Sequence, residues 1–310
     1  MWVVNNRKLF YAFSGILVIA SFASLIFWGL KPGIDFTGGT LIDVSYSAGN
    51  RPDQTKIVSA ISAIDGGASV RPSGTDEFIV RMKPIDQNQK AAVMSALSMN
   101  GSASTTVKTF DSIGPVLGAE ALRKALVSII LVILGIVIFI TFAFRKVSEP
   151  VSSWKYALVA IIALIHDVII PVGAFSILGH FLGYEVDTLF VTALLVVLGF
   201  SVHDTIVVFD RVRENLRHSS AKKPFGEVVG ESISQTFTRS INTSLTTLIA
   251  LIVLYILGGS TTEHFSLALI IGIAAGTYSS VFIGSPLLVT IEKWRSTERS
   301  GGGAAKKADK

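Results

Sequence analysis

Six long apolar runs restrict the folds open to this chain more than any other feature of its sequence. A helix crosses the ~30 Å hydrocarbon core of a bilayer with about 20 mostly apolar residues, because each residue adds about 1.5 Å along the axis. Runs near that length predict membrane-spanning helices over residues 9–30, 125–144, 156–178, 189–209, 239–257 and 267–291. The first run continues past Ala23, which favours a retained helix over a cleaved signal peptide. We therefore predict a polytopic α-helical membrane protein with six transmembrane helices.

Positive charge gathers in the short connections between these runs, and its placement predicts their orientation. Of the net charge of +5, residues 31–122 contribute −1, from eight Lys/Arg against nine Asp/Glu, so the rest of the chain carries +6. Short cytoplasmic loops are enriched in Lys and Arg. We therefore predict that residues 1–8, the loop 210–238 and the tail 292–310 are cytoplasmic, and that the tail is disordered. Because the charge follows membrane topology, it does not indicate a nucleic-acid partner.

The polar stretch of residues 31–122 is predicted to form a small α+β domain. Strand-like alternation in four short stretches is interrupted by two helical patterns. The resulting order, β-α-β-β-α-β, is the split βαβ or ferredoxin-like arrangement. The domain lies between the first and second spans, so we expect it on the extracytoplasmic side. The glycine-rich residues 33–40 lack the Lys-Ser/Thr of a phosphate loop and predict a turn into the first strand.

Metal and thiol chemistry find little support in the sequence. Cysteine is absent, which excludes disulfides, thiolate metal sites and cysteine nucleophiles. Two His-Asp pairs, His166-Asp167 and His203-Asp204, remain as candidate ligands. Neighbouring residues of a helix point in different directions, so each pair would supply one ligand at best. We expect neither a metal nor another cofactor.

One carboxylate, Asp204, lies inside the fourth apolar run and is the strongest candidate for a functional group. A charge near the bilayer centre costs about 2.5–3.5 kcal/mol on insertion scales, so ionisable side chains at that depth usually mark a transport pathway. Asp167 lies near the middle of the third predicted span, and Arg239 opens the fifth at a depth similar to that of Asp204. Because the fourth and fifth spans are antiparallel, we expect Asp204 and Arg239 to face each other.

Further polar side chains accompany these charges. Ser201 lies three residues before Asp204, on the same helix face. His203 titrates near neutral pH and would assist a proton relay. A polar stripe with the spacing i, i+3, i+4, i+7 is predicted on the fifth span, formed by Arg239, Asn242, Thr243 and Thr246.

The residues alone leave three interpretations of this polar set. It is a structural ion pair with hydrogen-bonded helix packing, or a proton relay in which an intramembrane acid is loaded from one side and released to the other. In the third interpretation, Asp167 and Asp204 form the dyad of an intramembrane aspartyl protease. The Gly-x-Gly-Asp and Tyr-Asp contexts of such proteases are absent, and the two carboxylates lie at different depths.

Several motifs together resemble one protein family. They are Gly33-Ile34-Asp35-Phe36-Thr37-Gly38-Gly39 after the first span, Ile165-His166-Asp167-Val168 in the third, and the run from Gly199 to Asn215, which includes Asp204, Asp210, Arg211, Arg213 and Glu214. With the six-span order and the single outer domain, these motifs resemble the SecF-type members of the SecD/SecF family of Sec protein translocase subunits. That family lies within the resistance-nodulation-division superfamily. The resemblance covers about residues 5–295.

The resemblance implies a transport subunit of the bacterial inner membrane, with both termini cytoplasmic and no hydrolytic chemistry of its own. Such subunits pair with a SecD-type half beside the SecYEG channel and use protons as the coupling ion to draw unfolded preproteins outward through the lipid membrane. YajC and YidC are further implied partners. The family's intramembrane Asp and Arg correspond to Asp204 and Arg239, and its third-helix Asp corresponds to Asp167. His203 stands where the family usually has Asn. The alternative is half of another proton-driven exporter of this superfamily, which carries lipid or a small molecule.

Overall fold

The computed structural model describes residues 1–144, 153–218 and 223–293, and within them it contains six helices long and apolar enough to cross a membrane. The predicted fold class, a polytopic helical membrane protein with one small sheet domain, is confirmed. In chain order the elements are α1 (Trp2–Asn5), α2 (Arg7–Phe27), α3 (Ile34–Thr37), β1 (Gly39–Tyr46), α4 (Gln54–Ser62), β2 (Ser69–Ser73), β3 (Glu77–Met82), α5 (Gln87–Leu97), β4 (Thr105–Ile113), α6 (Pro115–Ala143), α7 (Ser153–Leu182), α8 (Thr188–His218), α9 (Phe225–Leu257) and α10 (Ser260–Ser279). A π-helix, Ser280–Gly284, continues α10, and helical residues follow it to Lys293.

The chain forms two compact units, one of Pro32–Val127 and one that combines Met1–Lys31 with the described residues from Ser128 onward. The smaller unit holds the sheet, with the strand order β2-β3-β1-β4 and antiparallel pairing throughout. This is the predicted split βαβ arrangement. Alternate residues of the central strands, such as Ile42, Val44 and Val80, are fully buried because they point towards α4 and α5.

Helices α4 and α5 of the smaller unit each begin at an aspartate cap. The Asp53 carboxylate accepts the Thr55 backbone N–H at 2.8 Å, and hydrogen bonds from the Thr55 hydroxyl and backbone hold the pKa of Asp53 below its usual range. Asp86 and Gln89 form a reciprocal capping box at the start of α5. Such caps satisfy backbone N–H groups that have no partner within the helix.

The glycine-rich motif is a place of close backbone approach within the smaller unit. Gly38 and Gly39 have φ values of 74° and 140°, which side chains rarely tolerate. A Cβ atom on Gly38 would lie 2.7 Å from Pro115 Cα, and one on Gly118 would lie 2.8 Å from the Gly38 nitrogen. Phe36 is buried beside this contact. The motif therefore packs the start of β1 against the first turn of α6. Its last glycines, Gly38 and Gly39, form the predicted turn into the first strand.

In the larger unit, small and hydroxyl-bearing residues bring the long helices together. The Ser24 hydroxyl of α2 donates to the Gly173 carbonyl of α7 at 3.1 Å, and a Cβ on Gly173 would overlap Ser21. On α10, a Cβ on Gly272 would lie 2.3 Å from Val197 of α8. Membrane helices associate through such close contacts, because hydrocarbon gives no hydrophobic drive between them.

Most of the helices extend beyond the predicted spans. Helix α6 begins at Pro115, where the sequence predicted a span from 125, so the predicted domain 31–122 already includes its first turns. The predicted cytoplasmic loop 210–238 is helical in its described part, since α8 continues to His218 and α9 begins at Phe225. The apolar-run criterion stops at the first charged residues, whereas the backbone helix does not. Residues 219–222 of that loop, and residues 294–310 of the predicted disordered tail, lie outside the described residues.

Candidate functional site

The two predicted intramembrane carboxylates are both buried in the larger unit. Asp167 is 0% exposed on α7, and Asp204 is 4% exposed on α8. Burying a carboxylate is costly unless hydrogen bonds or opposite charges compensate it. The partners of each carboxylate therefore decide what this site can do.

Asp167 has three polar partners, drawn from three helices. Its Oδ2 accepts hydrogen bonds from the hydroxyls of Ser201 on α8 and Ser279 on α10, the latter at 2.7 Å. Its Oδ1 lies 2.8 Å from Nδ1 of the preceding residue, His166. Buried polar groups need hydrogen-bond partners, and these three partners satisfy both oxygens of the Asp167 carboxyl.

Asp204 is held by hydroxyls from two other segments. The Ser240 hydroxyl of α9 donates to Asp204 Oδ1 at 2.8 Å, and the Ser280 hydroxyl, at the start of the π-helix, donates to Oδ2 at 3.0 Å. Among the described residues, Asp204 forms no ion pair. It is therefore a buried carboxylate supported by neutral donors only.

The junction between α10 and the π-helix places two neighbouring serines against two different carboxylates. Ser279 contacts Asp167, and Ser280 contacts Asp204. The Ser285 hydroxyl donates to the Ser280 carbonyl, five residues earlier, at 3.1 Å. Single π-turns within α-helices often mark functional sites. This turn is the point where α7, α8, α9 and α10 share one polar centre.

His166 is the other titratable group at this centre. It is 6% exposed, and its Nε2 atom has no hydrogen-bond partner among the described residues. Its ring lies over that of Tyr278, with a centroid separation of 6.4 Å. Neighbouring side chains on a helix usually diverge, but those of His166 and Asp167 touch. Within the described residues no group of three or more His, Cys, Asp or Glu side chains is arranged to hold a metal ion.

The predicted contact between Asp204 and Arg239 is wrong in this structure. Arg239 is exposed, and its neighbour Ser240 faces Asp204 instead. Successive residues on an α-helix are rotated by about 100°, so both cannot point at the same carboxylate. His203 is exposed for the same reason, beside the buried Asp204.

The predicted polar stripe exists, but it lies on the outer face of α9. Its four residues, Arg239, Asn242, Thr243 and Thr246, are all exposed in this chain. The Thr246 hydroxyl donates within its own helix, to the carbonyls of Asn242 at 3.0 Å and Thr243 at 2.9 Å. The periodicity was sufficient to group these residues, but it could not show which way the group faces. Ser201, by contrast, is buried on the face of α8 that carries Asp204, as predicted.

The charged motif after Asp204 ties α8 to α9. Arg211 donates to the Gln235 side chain at 2.6 Å and also pairs with Glu214. Arg213 lies 3.4 Å from Asp210 within α8. These residues are partly or fully exposed, and Arg211 also links the two helices.

Sequence reasoning missed three of the residues that touch the carboxylates, namely Ser240, Ser279 and Ser280. The sequence did contain a signal for two of them, because the pair Ser279-Ser280 places polar side chains inside a predicted span, as Asp204 does. Serine is also common wherever membrane helices pack closely, so the signal alone could not separate these serines from structural ones.

Comparison with known proteins gives consistent matches. The family model described as protein export membrane protein SecD/SecF, C-terminal, matches residues 93–294, and the SecD/SecF GG motif matches residues 23–49. A protein translocase subunit SecF from Thermobaculum terrenum is 43% identical over 94% of this chain and 93% of its own length. Another from Synechocystis sp. is 39% identical over 95% and 92%.

A solved structure is also similar. The crystal structure of SecDF, a translocon-associated membrane protein from Thermus thermophilus, superposes with a TM-score of 0.79 and 30% sequence identity. The match covers 94% of this chain and 38% of the SecDF chain. SecDF in a form described as super-membrane-facing gives a TM-score of 0.67 with 29% identity.

Proposed function

Because this chain belongs to the SecD/SecF family of protein export membrane proteins, we propose that it is a SecF subunit of the protein translocase. In this role it couples proton flow to the outward movement of preproteins that leave the SecYEG channel. The observation that carries the proposal is the pair of buried carboxylates, Asp167 and Asp204, joined to a common π-turn by serine hydroxyls.

A buried acid with neutral donors suits proton coupling. Asp204 has hydroxyl partners and no cation against it among the described residues, so protonation removes the cost of its charge without breaking an ion pair. One charge that crosses 100 mV supplies about 2.3 kcal/mol. That is small beside the roughly 5–15 kcal/mol stability of a folded domain, so many protons would accompany each preprotein.

The outer face of α9 supports a SecD-type half as the partner. Arg239 and the polar side chains after it are exposed on a helix that is long and apolar enough to cross a membrane. Polar and charged groups are costly against lipid hydrocarbon, so a second protein would cover them and would supply the counter-charge for Arg239. This chain matches only 38% of the SecDF chain. The unmatched part of SecDF is long enough to include a SecD-type half.

The same proposal covers location and the remaining partners. The protein would lie in the bacterial inner membrane with both termini cytoplasmic, beside SecYEG, with YajC and YidC as further partners and unfolded preprotein as substrate. Protons would be the coupling ion, without a metal, another cofactor or hydrolytic chemistry.

Asp204→Asn tests this function directly. We expect the variant to insert and to bind its SecD-type partner, but to lose proton-gradient-dependent export, because an amide cannot take up and release the proton. Export would be measured in membrane vesicles with and without an imposed proton gradient. Asp111→Asn, which changes an exposed carboxylate on β4, is the matched control and should retain export.

Gradient-dependent export that survives in Asp204→Asn would contradict the proposal. Co-purification separates the alternative exporter: SecY should accompany the SecF subunit, whereas a dedicated periplasmic adaptor would indicate a carrier of lipid or small molecules.

A further inference from the structure

Each of the two serines where α10 passes into the π-helix has two acceptors within reach of one hydroxyl. Ser279 Oγ lies 2.7 Å from Asp167 Oδ2 and 3.1 Å from the Gly276 carbonyl. Ser280 Oγ lies 3.0 Å from Asp204 Oδ2 and 3.1 Å from the Thr277 carbonyl. A hydroxyl carries one proton and two lone pairs, so it cannot donate fully to both acceptors at once.

We propose that Ser279 and Ser280 are positioning residues that set the protonation of Asp167 and Asp204 separately, each by turning its hydroxyl between carboxylate and helix carbonyl. This proposal deepens the proposed function and rests on proton uptake by these two acids. It concerns only residues of this chain.

The hydroxyls keep every group partnered in both protonation states. When the carboxylate is charged, the serine O–H donates to it. When the carboxylate takes up a proton from water, the new carboxyl O–H donates to the serine oxygen, and the serine O–H turns to the carbonyl three residues before it. A buried polar group without a partner costs about 1–3 kcal/mol, and this exchange avoids that cost at each step.

Few other groups compete for control of the two acids. Asp167 faces Ser201 and His166, and Asp204 faces Ser240. The nearby Tyr278 hydroxyl donates elsewhere, to the Phe10 carbonyl at 3.1 Å. Arg239 and His203, the remaining charged or titratable side chains of α9 and α8 near this level, are exposed. Removal of a single hydroxyl should therefore be visible in the titration of the acid that it faces.

The local backbone explains why two consecutive residues can serve two acids. Consecutive side chains on a helix diverge by about 100°, so Ser279 turns towards α7 while Ser280 turns towards α8. Gly276, one turn earlier, lets α10 approach α8 closely, since a Cβ there would lie 3.0 Å from Ser201 Cβ. The serine pair thus follows a close contact between α10 and α8, and its two side chains reach acids on two different helices.

The test is a crossed titration of the two carboxyls. The full-length chain would be co-expressed with its SecD-type partner, labelled in its aspartate carboxyls and followed by infrared spectroscopy against pH in lipid vesicles. The chain contains other aspartates, so each signal is assigned by difference. The band lost in Asp167→Asn belongs to Asp167, and the band lost in Asp204→Asn belongs to Asp204. We expect Ser279→Ala to move the Asp167 midpoint to higher pH by about one unit, since loss of a donor favours the neutral acid. The Asp204 midpoint should stay in place.

Ser280→Ala should give the opposite pattern, with a shift of similar size for Asp204 alone. Ser266→Ala is the matched control, because Ser266 is fully buried on α10 but donates only to its own helix, at 2.7 Å and 3.0 Å. It should move neither midpoint. Ser279→Thr keeps the hydroxyl and should restore the parental Asp167 midpoint.

Equal shifts of both acids in either serine variant, a shift in Ser266→Ala of the same size, or no shift at all would overturn the proposal. The measurement does not need export. Export that persists in Asp204→Asn would contradict the proposed function but would not affect the result of the crossed titration. A failed crossed titration would contradict only the proposed role of the serines.

Discussion

At the scale of single residues, the two buried acids show how much a rotation of one position matters. Ser240 reaches Asp204, while Arg239 beside it is exposed. The result replaces an expected ion pair with a hydroxyl contact. A cation against Asp204 would favour one protonation state, whereas hydroxyls can accompany both.

Glycine at position 38 allows a second residue-scale prediction. Gly38→Ala should weaken the smaller unit, because it adds both strain at φ 74° and a clash with Pro115. Gly49→Ala is a close control, since Gly49 has φ 76° but open space around it. Left-handed strain alone costs about 1–2 kcal/mol.

Hydrogen exchange of β1 and β3 in the full-length chain would measure the difference. Protection should fall further in Gly38→Ala than in Gly49→Ala. Equal loss in the two variants would mean that the close approach to Pro115 adds nothing.

At the scale of elements, the extensions of α8 and α9 beyond the apolar runs form a paired structure. The Asn215 side chain of α8 donates to Ser232 and Gln235 of α9, each at 2.9 Å. Arg211 adds its own bond to Gln235. The charged motif that follows Asp204 therefore fixes the angle at which α8 and α9 leave the apolar region, and so supports the contact between Asp204 and Ser240.

Asn215→Ala should loosen this helix pair, because it removes both bonds of one side chain. A typical hydrogen bond contributes about 0.5–1.5 kcal/mol, so we expect faster hydrogen exchange in residues 211–218 and 225–236. Arg217→Ala, a change of an exposed side chain two residues further along α8, should leave exchange unchanged. If both variants exchange alike, the pairing contributes no stability.

At the scale of the whole molecule, the polar stripe of α9 (Arg239, Asn242, Thr243 and Thr246) is exposed in this chain, and under the proposed function the SecD-type partner would cover it. Lipid-facing helices such as α6 instead expose apolar side chains, for example Ile130 and Leu131. This contrast separates a surface for protein from surfaces for lipid.

Cross-linking can test this contrast, because the chain has no cysteine of its own. A single Thr243→Cys variant should cross-link to a SecD-type partner that carries scanning cysteines. Ile130→Cys, at a position 65% exposed on α6, should give little product. The reverse pattern would show that the stripe does not face the partner.

The sequence alone determined the six long helices, the four strands, the two helices between them and the order of these elements. Length and apolarity identified six spans, because a helix in lipid must satisfy its own backbone and must be long enough to cross. Alternation and turn residues identified the split βαβ unit, because burial on one sheet face has a period of two. The motif from Asp204 to Asn215 was sufficient to indicate the family, and Asp204 itself stood out because charge inside an apolar run is costly.

Only the tertiary structure decided which side chains meet. The stripe of α9 could be grouped from its period, but the angle that carries Ser240 inward and Arg239 outward depends on how α9 packs against α8 and α10. The link from Asp167 to Asp204 runs through Ser279 and Ser280, which are 112 and 76 residues away from them in the chain. Such contacts leave no local pattern, because close packing between helices selects them after each helix has formed.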